Sequence, residues 1–189
     1  MWWNTSIQKI KRWTLREHIG VIMQDTTLFN TSIYNNLLRC LPKSWDQVWD
    51  EERDAHLKHV LGLAQADFVF DLPHGRDTII GERWLKLSWW EKQRIALARM
   101  LLKDPQMILL DEATSALDTT TEFHIKQVID RIFTDKTMLI IAHRLSTIQQ
   151  ADWVVVLQEW KILEQGTYRW LLEEKWALWK LVHPEDVSM

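Results

Sequence analysis

The chain has 189 residues and a formal net charge of −3, enough length for one domain with a sizeable core and no basic excess to recommend a nucleic-acid surface. Its single cysteine, Cys40, gives neither a disulfide framework nor a zinc spacing, and no apolar run approaches the roughly 18 residues that span a bilayer. Thirteen tryptophans stand against five glycines. Average usage of about 7% would give roughly 13 glycines, so the shortage of glycine is about as large as the excess of tryptophan.

The first residues are polar and mixed, and Asn4, Lys9, Lys11 and Arg12 interrupt any apolar leader. Ile19–Met23 then reads as a short strand that ends at Gln24-Asp25, followed by a loop over Thr26–Asn30 and a short helix over Ser32–Leu38. A turn-rich linker from Pro42 to Asp50 leads into a helix over Glu51–Ala64, with Ala55, Val60, Leu61 and Leu63 set among charges. Leu72-Pro-His-Gly75 marks a turn. Ser88 and Glu91 have capping-box spacing, so a helix starts there, with Ile95, Ala98 and Leu102 on one face and Asp104-Pro105 as its stop. Such a helix start has free N–H groups and positive dipole character, which suit a phosphate; a well-capped structural helix is the plainer alternative.

Met107-Ile-Leu-Leu110 runs straight into Asp111 and Glu112. A short apolar run that ends in acids reads as a buried strand delivering carboxylates to the C-terminal edge of a sheet, where ligands of open α/β folds sit. There Asp111 can hold a magnesium ion and Glu112 can orient or deprotonate a water; a solvated acidic turn is the alternative. Thr119 and Glu122 form a second capping-box spacing, and Ile125, Val128, Ile129 and Ile132 make an amphipathic helix to about Thr134. Met138–Ala142 reads as a second buried strand that delivers His143. Val154–Leu157 and Lys161–Leu163 are two strands joined by a tight turn at Glu159-Trp160, and Gly166-Thr167 opens a last helix. His18, His56, His59, His74, His124 and His183 show no ligand spacing.

Gln24 after a strand, Leu87-Ser-Trp-Trp-Glu-Lys-Gln-Arg94, Ile108-Leu-Leu-Asp-Glu-Ala-Thr-Ser-Ala-Leu-Asp118 and His143-Arg-Leu-Ser-Thr147 occur in this order. From about Asn4 to Val182 they resemble the Q-loop, signature, Walker B, D-loop and switch histidine of the nucleotide-binding domain of ATP-binding cassette (ABC) exporters. The resemblance implies an α/β fold of the P-loop NTPase type, with a mostly parallel core sheet. A helical subdomain would cover residues 32–103, and residues 104–182 would form the core with Walker B, D-loop and switch histidine. It further implies ATP and Mg2+ as ligands. Gln24 and Asp111 would serve the metal, Glu112 would be the general base, and His143 would contact the γ-phosphate. Ser88, Glu91 and their helix start would act on the ATP of a second nucleotide-binding domain, with Asp118 across that dimer interface. The expected partners are that second domain and a transmembrane domain, with no nucleic acid, at the cytoplasmic face of a membrane.

Two departures accompany the resemblance. Nothing in the 189 residues matches the phosphate-cradling G-x-x-x-x-G-K-[ST], so the chain is expected to be the C-terminal part of a longer exporter ATPase and to be inactive alone. Tryptophan also stands where the family has glycine, at Trp84, Trp89, Trp90, Trp160 and Trp176. Turns that need positive φ penalise a bulky residue, and indoles shield backbone meant for a phosphate. One expectation is that UGA codons, one base from the glycine codon GGA, underlie these tryptophans, with Trp179 genuine. The rival readings are a non-catalytic, degenerate interaction module and a soluble ABC-type ATPase of DNA maintenance, the latter disfavoured by the lack of sustained heptads.

Overall fold

The computed structural model describes residues 6–23, 26–42, 45, 48–81, 86–111, 127, 129, 133–142, 145–174 and 177–183. The chain divides into two compact units, Met1–Ile140 and Ile141–Met189.

In the first unit, helix α1 (Arg12–His18) runs directly into strand β1 (Ile19–Ile22). Helices α2 (Ile33–Leu38), α3 (Asp50–Leu63), α4 (Phe68–Asp71) and α5 (Trp89–Lys103) follow, then strand β2 (Met107–Asp111). Strand β3 (Thr137–Ile141) completes a three-stranded sheet of order β1-β2-β3, its last residue falling at the boundary of the units. β1 and β2 are parallel, with Ile19 opposite Met107 and Ile22 opposite Leu110. Parallel neighbours need a crossover, and the helices between them supply it. α5 packs back against β1 so closely that a Cβ at Gly20 would run into Met100 Sδ and Pro105 Cγ. Glycine is therefore the residue that lets helix and strand meet.

One apolar core joins these elements. Ile22, Ile108, Ile33, Leu57, Leu61 and Ile95 are all buried in it. Each such side chain, fully removed from water, contributes roughly 1.5–3 kcal/mol before the entropy of ordering it. The face predicted on α5 holds, since Ile95, Ala98 and Leu102 are buried, and so is the stop: Asp104 adopts the left-handed conformation at φ 44° and Pro105 follows.

β3 departs from expectation. Met138 touches the core, but Leu139 is 61% exposed and Ile141 55%. An apolar run signals a buried strand only where a layer covers each face, and β3, an edge strand as β1 is, leaves Leu139 and Ile141 in solvent. α1 was not foreseen, because none of its residues is buried and it carries no apolar period to read. The helix expected from Thr119 lies outside the described residues, apart from Gln127 and Ile129, both helical.

The second unit holds α6 (Leu145–Gln149), strands β4 (Val154–Gln158) and β5 (Lys161–Gly166), and helices α7 (Tyr168–Glu173) and α8 (Ala177–Val182). β4 and β5 form the predicted antiparallel hairpin, with a register shift between Val156 and Leu157. Its turn residues Glu159 and Trp160 both have positive φ, 48° and 62°. Val154, Val156, Leu171 and Leu178 make a small core of their own. Beside it the buried Glu164 carboxylate accepts the first two N–H groups of α8, from Ala177 at 3.2 Å and Leu178 at 2.5 Å. An anion at a helix start is satisfied there by both hydrogen bonds and the dipole.

Candidate nucleotide site

The sheet gives the site its edge. Because Ile22 pairs with Leu110 in a parallel ladder, β1 and β2 end side by side. Asp111, half-buried, is the last residue of β2 and stands at that edge. The Thr137 N–H donates to the Gln106 carbonyl at 3.4 Å, which starts β3 at the same end as β2. Gln24, Glu112, Asp118 and His143 lie outside the described residues, as do Trp84 and Trp176. The structure thus brings Asp111 to the sheet edge, while Ser88 and Glu91 stand at the start of α5.

The capping box at α5 is complete. Glu91 N–H donates to Ser88 Oγ at 3.3 Å, and the Glu91 carboxylate accepts from Ser88 N–H and from Ser88 Oγ, both at 2.7 Å. The Ser88 hydroxyl is held by both of its roles, so its position is fixed by the helix and not by a ligand. Trp89 and Trp90 occupy the first helical turn, edge to face with ring centroids 5.0 Å apart. Neither has positive φ, which corrects the expectation of backbone strain there. What remains at these two positions is the bulk of two indoles beside the helix start.

Three polar residues that the sequence reading passed over, Gln93, Arg99 and Asn36, hold the loop between β1 and α2, and a fourth, Lys103, ties α5 to the start of β1. Gln93, buried on α5, donates through Nε2 to the Met23 carbonyl at 3.4 Å, which fixes the residue before Gln24. Arg99 Nη1 donates to the Thr27 carbonyl at 3.1 Å. Buried Asn36 accepts the Phe29 N–H at 2.8 Å and donates through Nδ2 to the Phe29 and Ser32 carbonyls, each at 3.0 Å. Lys103 Nζ donates to the Ile19 carbonyl at 2.7 Å, and burial pushes its pKa below the usual lysine value. In a helical pattern such residues look like surface positions. The available signal was that Asn36 lies between the apolar Ile33 and Leu37, on a helix too short to have a fully solvated face.

Chemically, the described part of the edge offers one hard oxygen donor. Magnesium takes one or two protein carboxylates and completes its shell with water and phosphate oxygens, so Asp111 fits that ion. Among the described residues no group of three or more His, Cys, Asp or Glu side chains forms a metal cage.

Helices packed on a sheet whose parallel strands end together at an acid make this an α/β protein of the class whose ligands sit at the carboxyl edge of the strands. The family model for ABC transporters matches residues 1–115, and the chain belongs to that family. It is 44% identical over 168 residues to the heterocyst differentiation ATP-binding protein HepA of Nostoc sp., covering 88% of this chain and 26% of that protein. It is 42% identical over 169 residues to the ATP-dependent lipid A-core flippase of Coxiella burnetii, covering 88% of this chain and 27% of the flippase. A solved bacterial Atm1-family ABC exporter with ATP bound superimposes with a TM-score of 0.81 at 38% identity, over 95% of this chain and 30% of that one. The α/β ABC ATPase fold expected from the motifs is the one found. The chain spans about a quarter of the length of these two curated relatives.

Proposed function

We propose that the chain is part of the ATP-hydrolysing domain of an ABC exporter and couples ATP binding and hydrolysis to transport across a membrane. The observation that carries this is the sheet edge: β1 and β2 end in register at Ile22 and Leu110, and Asp111 closes β2 beside them. Its similarity to ATP-dependent exporters supports the same reading. No helix among the described residues is long and apolar enough to cross a membrane, so membrane passage is assigned to a transmembrane domain as partner. The place of work is the cytoplasmic face of that membrane.

In this reading magnesium supplies charge neutralisation on the phosphate oxygens, and Asp111 with Gln24 would hold it. Glu112 takes the proton of the attacking water, and His143 hydrogen-bonds a γ-phosphate oxygen. Ser88 and Glu91 present the start of α5 to the ATP of a second nucleotide-binding domain, and Asp118 lies at the dimer interface. Residues 32–103 act as the helical subdomain and residues 104–182 as part of the catalytic core. The phosphate cradle missing from these 189 residues has to be supplied by additional chain. The test is Asp111→Asn in the intact transporter. Steady-state ATPase assays across a magnesium titration are expected to show activity lost and magnesium affinity lowered. Wild-type activity with an unchanged magnesium midpoint would remove Asp111, and with it the site, from the account.

A further inference from the structure

Three independent features converge on the tryptophans. The first is the β4–β5 turn. Glu159 and Trp160 both adopt positive φ, 48° and 62°, the pattern of a type I′ hairpin turn, whose second central position is most often glycine. Four non-glycine residues among those described have positive φ: Gln65, Asp104, Glu159 and Trp160. The first three are polar; a bulky aromatic in this conformation is an outlier. Nor does packing compensate, because Trp160 is 100% exposed.

The second is burial. Trp2, Trp3, Trp84 and Trp176 lie outside the described residues, and none of the other nine tryptophans is buried. Trp13, Trp49, Trp153, Trp160 and Trp170 are at least half exposed, Trp49 at 83%. Tryptophan is among the most buried side chains on average, since no other removes as much apolar area from water. Here the core is filled by Ile, Leu, Val, Ala, Met100 and Phe133, and of the described tryptophans only Trp90 packs against it, partly buried.

The third is composition. Thirteen tryptophans and five glycines are displaced from average usage in opposite directions by similar amounts. An exchange of one residue for the other produces that pairing; separate drifts of two residue types do not.

We infer that Trp160, and with it Trp89, Trp90 and most of the exposed tryptophans, stand at positions that the native polypeptide fills with glycine, through UGA codons decoded as glycine in the source cell. UGA and GGA differ in one base, and UGA is the codon that other genetic codes assign to tryptophan. Glycines written with ordinary codons, such as Gly20 and Gly166, survive in either reading. Trp179 is the internal control: unlike Trp89, Trp90 and Trp160 it stands at no position where the family has glycine, and it stacks on His183 with centroids 4.9 Å apart, so it is assigned as a genuine tryptophan. At α5 the consequence is the loss of Trp90 from the edge of the core and a cleared helix start. With glycine at 89 and 90 the capping box between Ser88 and Glu91 is retained, because it uses backbone N–H groups and these two side chains only. The two indoles beside it are gone. The inference rests on backbone, burial and composition, so it stands or falls separately from the proposed ATPase activity.

Reading the gene's codons, together with tandem mass spectrometry of peptides from protein purified from its source cell, tests it. UGA at positions 160, 89 and 90 with glycine-mass residues in the peptides is expected, and UGG with tryptophan mass at 179. UGG at 160, or a tryptophan-mass residue there in the native peptide, overturns the inference. Glycine at 160 with tryptophan at 89 and 90 overturns its extension to α5. A recombinant Trp160→Gly chain gives a second readout. Its thermal midpoint is expected to rise, and a lower midpoint contradicts the backbone argument.

Discussion

Asn36→Leu isolates what the structure assigns to one buried amide. The two side chains share the same branched shape, leucine being the bulkier, and position 36 is fully buried beside Ile33 and Leu37, so no cavity is left. What is lost is specific. The Phe29 N–H loses its acceptor at 2.8 Å, while the Phe29 carbonyl loses one donor at 3.0 Å and keeps the Thr31 N–H at 2.8 Å. The Ser32 carbonyl keeps its bond from the Asn36 backbone N–H at 3.0 Å. One stranded backbone group, the Phe29 N–H, gives a loss of roughly 1–3 kcal/mol. With a urea dependence of about 1–3 kcal/mol per molar, the unfolding midpoint should fall by on the order of 1 M with unchanged slope. The loop over Thr26–Asn30 should also become a site of faster proteolysis under native conditions, because its main tether to α2 is cut. A midpoint equal to wild type, with the loop no easier to cleave, would show that the amide does not hold the loop.

Two further outcomes follow from other parts of the molecule. The chain by itself should bind MgATP weakly or not at all, since the phosphate cradle is missing from these residues; a fluorescent ATP analogue at moderate salt measures this, and sub-millimolar, magnesium-dependent binding would contradict it. The Asp54–Arg76 pair, 2.5 Å apart and partly exposed, lowers the Asp54 pKa, chiefly through its hydrogen bond from Arg76. A carboxyl whose folded pKa is depressed stabilises above its unfolded value, near 4, and loses that contribution as pH falls through the folded value. Asp54→Asn should therefore be less stable than wild type at about pH 7, with the gap closing on acidification below about pH 4 and shrinking in high salt; a gap that is independent of pH would assign the effect to packing.

Where one signal decided the outcome, the sequence was legible. The capping box at Ser88 and Glu91, the stop at Asp104-Pro105 and the strand into Asp111 are each set by a few adjacent residues, and each was found where expected. β3 was misjudged because periodicity reports a strand but not what covers it: Leu139 and Ile141 are as apolar as Ile108 and far more exposed. Trp89 and Trp90 were expected in strained turns, yet helix geometry accepts any side chain in its first turn, and the strain lies at Trp160 instead. Gln93 could not be read as buried from pattern alone, because its partner is the Met23 carbonyl of a distant strand end that no local window contains. The tie from Lys103 to the Ile19 carbonyl is hidden for the same reason.

The central claim is that a carboxylate following β2 drives ATP hydrolysis in an exporter, and Glu112→Gln in the intact transporter tests it most directly. The change keeps the shape of the side chain and removes its charge. ATP binding and steady-state turnover should be measured on the same preparation. The account predicts ATP affinity close to wild type and a kcat lowered by about 10²–10⁴-fold, the usual contribution of a general base. An unchanged kcat would contradict it.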